Sequence, residues 1–148
     1  MTDKLLKLKA KATEDVQVIS AVLQDAIAPV CDMLYRPEDR NFIMVVHRLR
    51  HESAGEICPE RICCAVNLRG VEAVQTYGID LTKRSDMLDL LAIMPDADGL
   101  QFIFAGGAKL RLQLDKETGS RQAWSMIVED FGGAWPASCT PCHEEKAG

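Results

Sequence analysis

A chain of 148 residues with 47% hydrophobic and 26% charged side chains has the make-up of a soluble globular protein, long enough to bury roughly 70% of the surface its unfolded form exposes without disulfide or metal. A net charge of −5 and a pI near 5.2 set up a field that repels phosphate backbones and anionic lipid, which excludes nucleic acid and membrane surfaces as expected partners. Met1 to Lys9 lacks a signal-like apolar run and no stretch approaches ~18 apolar residues, so a cytoplasmic location is expected, with the six cysteines kept as thiols.

The first element is a short strand in which Leu6 and Leu8 alternate with Lys7 and Lys9. Thr13 with Glu14 and Asp15 is a helix start, a capping hydroxyl followed by carboxylates at the positive end of the dipole. Val16, Ile19, Leu23 and Ala26 then recur at helical spacing, giving a helix over 13–27 that Pro29 cannot extend. Apolar runs at 30–35 and 41–47, separated by Arg36-Pro37-Glu38-Asp39-Arg40, read as a hairpin, and 52–60 as a surface loop. Ile62, Cys64, Val66 and Leu68 alternate with Cys63, Ala65 and Asn67, and Arg69-Gly70 turns the chain into a strand at 71–77.

Residues 88–94 form an apolar run, Pro95-Asp96-Ala97-Asp98-Gly99 a turn, and 100–104 a further strand. After the Gly106-Gly107 turn, Lys109 to Asp115 places three leucines on one face and polar groups on the other, so one face of the sheet must be wet. Ala123, Trp124, Ile127, Val128 and Phe131 suggest a second helix over 120–131, stopped by Gly132-Gly133, with Trp124, Phe131 and Trp135 packing it on the sheet. Consecutive strands with tight turns and no crossover helices imply antiparallel pairing. The expectation is one α+β domain over 1–136 with a flexible tail at 137–148. It holds a curved antiparallel sheet or partly open barrel of about seven or eight strands, one helix after the first strand and one C-terminal helix, an arrangement similar to pleckstrin-homology domains.

Asp32-Met33-Leu34-Tyr35-Arg36-Pro37, the Arg48/Glu52 segment, Gly78-Ile79-Asp80, Leu90-Leu91-Ala92-Ile93, Phe104-Ala105-Gly106-Gly107 and Asp130-Phe131-Gly132 through Trp135 run in order along nearly the whole chain. Together they resemble an uncharacterised bacterial family catalogued only as a domain of unknown function. The resemblance implies a small protein without a signal peptide and brings no activity with it. Trp135, Pro141 and His143 fit that family's C-terminal pattern, whereas Cys139 and Cys142 do not belong to it. His47, Leu49 and His51 stand where the pattern has Asn, Phe and Trp, so it lends neither histidine a role.

Cys139-Thr140-Pro141-Cys142-His143 has the spacing of covalent haem attachment, but that chemistry belongs outside the cytoplasm and the chain shows no export signal, so no cofactor is expected. As metal ligands, Cys139, Cys142 and His143 supply three positions of a zinc site, with Cys58 or Cys63 as a fourth. Cys64, on the apolar face of its strand, and Cys31, in the first hairpin run, read as small buried hydrophobes. Cys63 points the other way and is the reactive thiol of that pair.

His47, His51 and Glu52 do not match the zincin string, which needs the Glu beside the first His on a helix, and the imidazoles read as surface groups among arginines. Arg48, Arg50 and His51, with Arg36 and Arg40 across the hairpin, compose an anion- or partner-binding patch. Gly106-Gly107 leads into a strand rather than a helix and is a turn, not a phosphate loop, and no nucleophile elbow is present. Without a catalytic constellation, the expectation is a non-enzymatic cytoplasmic interaction module for an unknown protein or small anionic ligand, self-associating through a strand edge or apolar patch. The alternative is a metal- or thiol-dependent protein built on the C-terminal Cys-x-x-Cys-His.

Overall fold

The computed structural model describes residues 5–49, 61–115 and 124–134. In chain order the elements are β1 (Lys7–Ala10), α1 (Thr13–Val22), β2 (Ile27–Pro29), β3 (Met33–Arg36), β4 (Asn41–Leu49), β5 (Arg61–Arg69), β6 (Val71–Tyr77), β7 (Met87–Pro95), β8 (Gly99–Phe104), β9 (Lys109–Leu114) and β10 (Ser125–Ala134). Every pairing is antiparallel, in the order β1-β10-β5-β4-β2-β7-β8-β9-β6, with β3 paired to β4 off this path. The sheet does not close, since β1 and β6 are its terminal strands. The coarse expectation of an antiparallel sheet with a helix after the first strand therefore holds, while the described strands number ten.

Two elements differ from expectation. The segment read as a C-terminal helix over 120–131 is β10 where it is described, inserted between β1 and β5 with Leu8 opposite Val128 on one side and Val66 opposite it on the other. Buried Met126, Val128 and Asp130 alternate there with Ile127 and Glu129, a period of two that two flanking strands enforce. Among the described residues the one α-helix lies near the N-terminus, so the C-terminal helix on which the likeness to pleckstrin-homology domains rested is not among them. The second difference is α1, which ends at Val22. Asp25 takes a left-handed conformation (φ 69°) and its N–H donates to Leu90 O at 2.8 Å, so the chain leaves the helix to pair as β2 against β7. At the start of α1, Thr13 is the first helical residue rather than the cap. The N–H groups of Lys11 and Ala12 donate instead to Asp15 Oδ2 at 3.2 and 3.3 Å.

Alternation builds the core. Leu110, Leu112 and Leu114 of β9 are buried while Lys109, Arg111 and Gln113 face outward, as their spacing predicts. The same rule puts Phe42, Met44 and Val46 of β4, Cys64, Val66 and Leu68 of β5, and Met126 and Val128 of β10 on the inner side. They join Leu90, Leu100, Phe102 and Phe104, and Val16, Ile19 and Leu23 of α1, in one apolar cluster. Each such large side chain contributes about 1.5–3 kcal/mol by leaving water.

Besides β2, which pairs with both β4 and β7, further bonds tie the β3-β4-β5-β10-β1 strands to the rest. Gly70, at φ 82°, lets β5 turn into β6 while the N–H groups of Gly70 and Val71 donate to Arg40 O at 3.0 and 2.9 Å. The Tyr35 hydroxyl donates to Val71 O at 2.8 Å.

Candidate functional site

Arg48 is read from the sequence as part of a solvent-facing cationic patch, yet it is 1% exposed. Its place on β4, in step with inward-facing Met44 and Val46, explains why. The guanidinium reaches across β5 to Asp130, with Nε donating to Oδ1 at 3.0 Å and Nη2 to Oδ2 at 2.9 Å. Asp130 Oδ2 also accepts the Leu6 N–H at 2.9 Å, and the Asp130 N–H returns a bond to Leu6 O at 2.9 Å. Burial alone raises the Asp130 pKa, but the Arg48 and Leu6 bonds and the guanidinium charge outweigh it and hold the carboxyl below its usual range. Directly opposite Asp130 on β5, the Cys64 thiol is pushed up to about 12 by burial and by that carboxylate. The group is a charge-paired lock across β4, β5 and β10, with both ion-pair partners withdrawn from solvent.

Of the other residues in that expected patch, Arg50 and His51 lie outside the described residues. Arg36 is exposed and pairs with Asp39 at 3.1 Å, and Arg40 pairs with Asp115. Cys58, Cys139, Cys142 and His143 also lie outside the described residues. Among the described residues there is no group of three or more His, Cys, Asp or Glu arranged to hold a metal.

The fold brings His47 and Cys63 together. They are directly opposed across β4 and β5, with Cys63 Sγ 3.4 Å from His47 Nδ1. His47, read as a surface imidazole, is 4% exposed because β2 and β5 flank it, with Ile27 opposite on the β2 side. Burial lowers its pKa to about 4, with Asp32 opposing that shift and Arg61 adding to it. Arg61 Nη1 donates to the carbonyls of His47 at 3.1 Å and Asp25 at 3.0 Å, fixing the backbone beneath the imidazole. Cys63 is half-buried on the outward side, as alternation requires, and Cys64 is buried. Cys31, read as buried, sits exposed on the single turn Val30–Asp32. The histidine–cysteine pairing could have been found only from the β4–β5 register, which no local pattern discloses.

The β7–β8 turn carries a second polar cluster, in which Asp96 accepts Arg111 Nε at 2.9 Å and Gln101 Nε2 at 3.1 Å, and Arg111 also pairs with Asp98. The Arg111 bonds hold the Asp96 carboxyl below its usual range. The cluster is satisfied internally and half-exposed, as fits a solvated face. A groove of about 460 Å³ runs between α1 and β7, lined by residues including Gln17, Ser20, Gln24, Leu91 and Met94, none of them charged. Ser20 Oγ accepts the Ile93 N–H there at 2.9 Å. No helix among the described residues is long and apolar enough to cross a membrane.

One family model matches the chain over residues 6–143, described as "Protein of unknown function (DUF2948)". No curated protein and no solved structure matches.

Proposed function

Because the chain belongs to the DUF2948 family, whose description carries no activity, we propose from its surfaces alone that it is a non-enzymatic cytoplasmic binding module. In this reading it docks a protein partner on the outer face of the β3-β4-β5-β10-β1 layer. The observation that carries the reading is a difference between outer faces. On β6, β8 and β9 the outward side chains include Glu72, Gln75, Tyr77, Gln101, Lys109, Arg111 and Gln113 beside a single isoleucine, Ile103, and Gln113 Nε2 bonds Glu72 Oε1 at 3.3 Å across the strands. That face is mainly polar.

The other outer face is apolar through its middle. Leu34, Ile43 and Ile127 lie in one cross-strand row with Asn67 between the two isoleucines, and Val45 and Ala65 in the next. Leu34 and Phe131 are 56% and 55% exposed. Within this face Asn41 and Asn67 each bury a side-chain oxygen that no donor satisfies, an arrangement a partner would repair. Apolar side chains gathered on an outer face of a protein otherwise rich in charge mark an interaction site.

The test uses Ile43→Lys combined with Ile127→Lys, outward substitutions that leave the core intact, against Gln75→Lys on the polar face as control. Sedimentation and affinity capture from native cytoplasm should show the double variant losing both self-association and captured partner, while the control keeps them and unfolding midpoints stay together. Association unaffected by the double variant would remove this face as the docking site.

A further inference from the structure

We propose that the partner docked on the β3-β4-β5-β10-β1 face is an acidic protein segment, apolar in its middle and bearing carboxylates on its flanks. The inference rests on the docking reading and adds the partner's chemistry to it. The chain as a whole carries −5, yet on this face the sign is reversed. Among the described outward side chains of these strands, the charged ones are Lys7, Lys9, Arg36, Arg61 and Arg69 against one carboxylate, Glu129.

Position sorts these charges. Glu129 stands directly opposite Lys7 and offsets it. Arg36 pairs with Asp39, and Arg61 donates to the backbone carbonyls of Asp25 and His47. Lys9 and Arg69 are left, both exposed and neither in an ion pair with a described residue. Lys9 is opposite Ile127, so it ends the row of Leu34, Ile43, Asn67 and Ile127 at the β1 border. Arg69 lies one outward step from Asn67 along β5, level with Asn41 and Ser125. The apolar centre thus has one cation at its end and another beside it. An uncharged partner covering that centre would strip water from both cations without replacing it, whereas carboxylates at matching places compensate them. Charges at such a rim set the association rate and the choice of partner more than the final affinity. Nucleic acid shares the negative sign but brings no apolar side chains for the middle of the face to bury.

The test titrates the full chain with two labelled amphipathic peptides that share their leucines and carry either glutamate or lysine between them, read by fluorescence anisotropy. The glutamate peptide should bind about tenfold more tightly at low salt, and the gap should close at roughly 0.5 M salt, where exposed charges are screened. Lys9→Glu/Arg69→Glu should invert the preference with an unchanged unfolding midpoint. A second readout needs no variant: carbodiimide should couple Lys9 of the native chain to a glutamate of the peptide. Ile43→Gln/Ile127→Gln, which removes the apolar centre without adding charge, should release both peptides. A glutamate peptide that does not bind, or a preference that survives Lys9→Glu/Arg69→Glu, overturns the acidic partner, and the docking face outlasts it where Ile43→Gln/Ile127→Gln still releases the lysine peptide. Peptide binding indifferent to the glutamine pair removes the face itself, and this proposal with it. Oligothymidylate or phosphatidylserine vesicles bound more tightly than the glutamate peptide overturn it in favour of a phosphate ligand. Self-association that shuts the glutamate peptide out overturns it in favour of a second copy.

Discussion

The Arg48 guanidinium and the Asp130 carboxylate share two hydrogen bonds, at 3.0 and 2.9 Å, across the full width of an intervening strand. Each is the other's main compensation for lost water, so the pair contributes less than either partner would cost if left alone. Arg48→Met or Asp130→Asn should each destabilise the protein by about 3–5 kcal/mol, whereas Arg48→Met/Asp130→Leu should recover most of that loss. Urea unfolding of the three variants at neutral pH checks this. A double variant as unstable as the singles would mean that the Leu6 bonds, not the ion pair, hold the lock.

Acid should act through the same carboxylate. Because the Asp130 pKa is depressed in the folded protein, its contribution is present above the unfolded value and lost as pH falls through the folded value. In Arg48→Met the cation that favours ionisation is gone, so this acid-dependent loss should shrink. Denaturation curves at pH 7 and at successively lower pH, compared between wild type and variant, give the answer.

His47 adds a separate and earlier acid sensitivity. Its folded pKa of about 4 lies below the ordinary histidine value of 6.5, so the unfolded chain binds the proton first, and stability falls as pH drops from 6.5 toward 4. The loss is on the order of 3 kcal/mol and levels off below the folded value. His47→Gln should flatten this window while leaving the lower Asp130 window unchanged, which distinguishes the two groups.

Glycine substitutions should separate packing from backbone strain. A Cβ on Gly99 would run into the Leu112 carbonyl oxygen on the neighbouring strand, so Gly99→Ala must push β8 and β9 apart. Gly106 has φ +84° but open space where a methyl group would stand, so Gly106→Ala meets only conformational strain. Thermal melts should place Gly106→Ala about 1 kcal/mol below wild type and Gly99→Ala well below that, with costs of about 1–3 kcal/mol or more.

The described cysteines should react in an order set by burial. Exposed Cys31 should alkylate readily in the native state, and Cys64, with its thiol pushed up to about 12, only on unfolding. Timed alkylation followed by peptide mass spectrometry measures both in one sample.

The features legible in the sequence are those written into local chemistry. Lys109 to Leu114 alternates cleanly, Arg36 to Arg40 turns, and Gly106 and Gly107 adopt the positive φ values their turn requires. The features that are not legible share a different origin. Trp124, Ile127, Val128 and Phe131 satisfy a helical spacing, and only the presence of β1 and β5 on either side makes the competing period of two decisive. Arg48 looks like a surface cation until Asp130, far along the chain, is placed beside it, and His47 looks exposed until Ile27 and Cys63 flank it. Partners supplied by distant segments decide burial, and burial decides what a polar side chain can do.

The position of β10 has a consequence for biosynthesis. This strand lies between β1, near the beginning of the chain, and β5, in its middle, so during translation the earlier strands wait with a slot between them. Until Ser125–Ala134 leaves the ribosome, β1 has no neighbour and one border of β5 stays unsatisfied, an invitation to stray pairing with other nascent chains. Assembly is therefore completed from the tail end, and a truncation before residue 125 should yield a sticky intermediate, not a smaller stable protein.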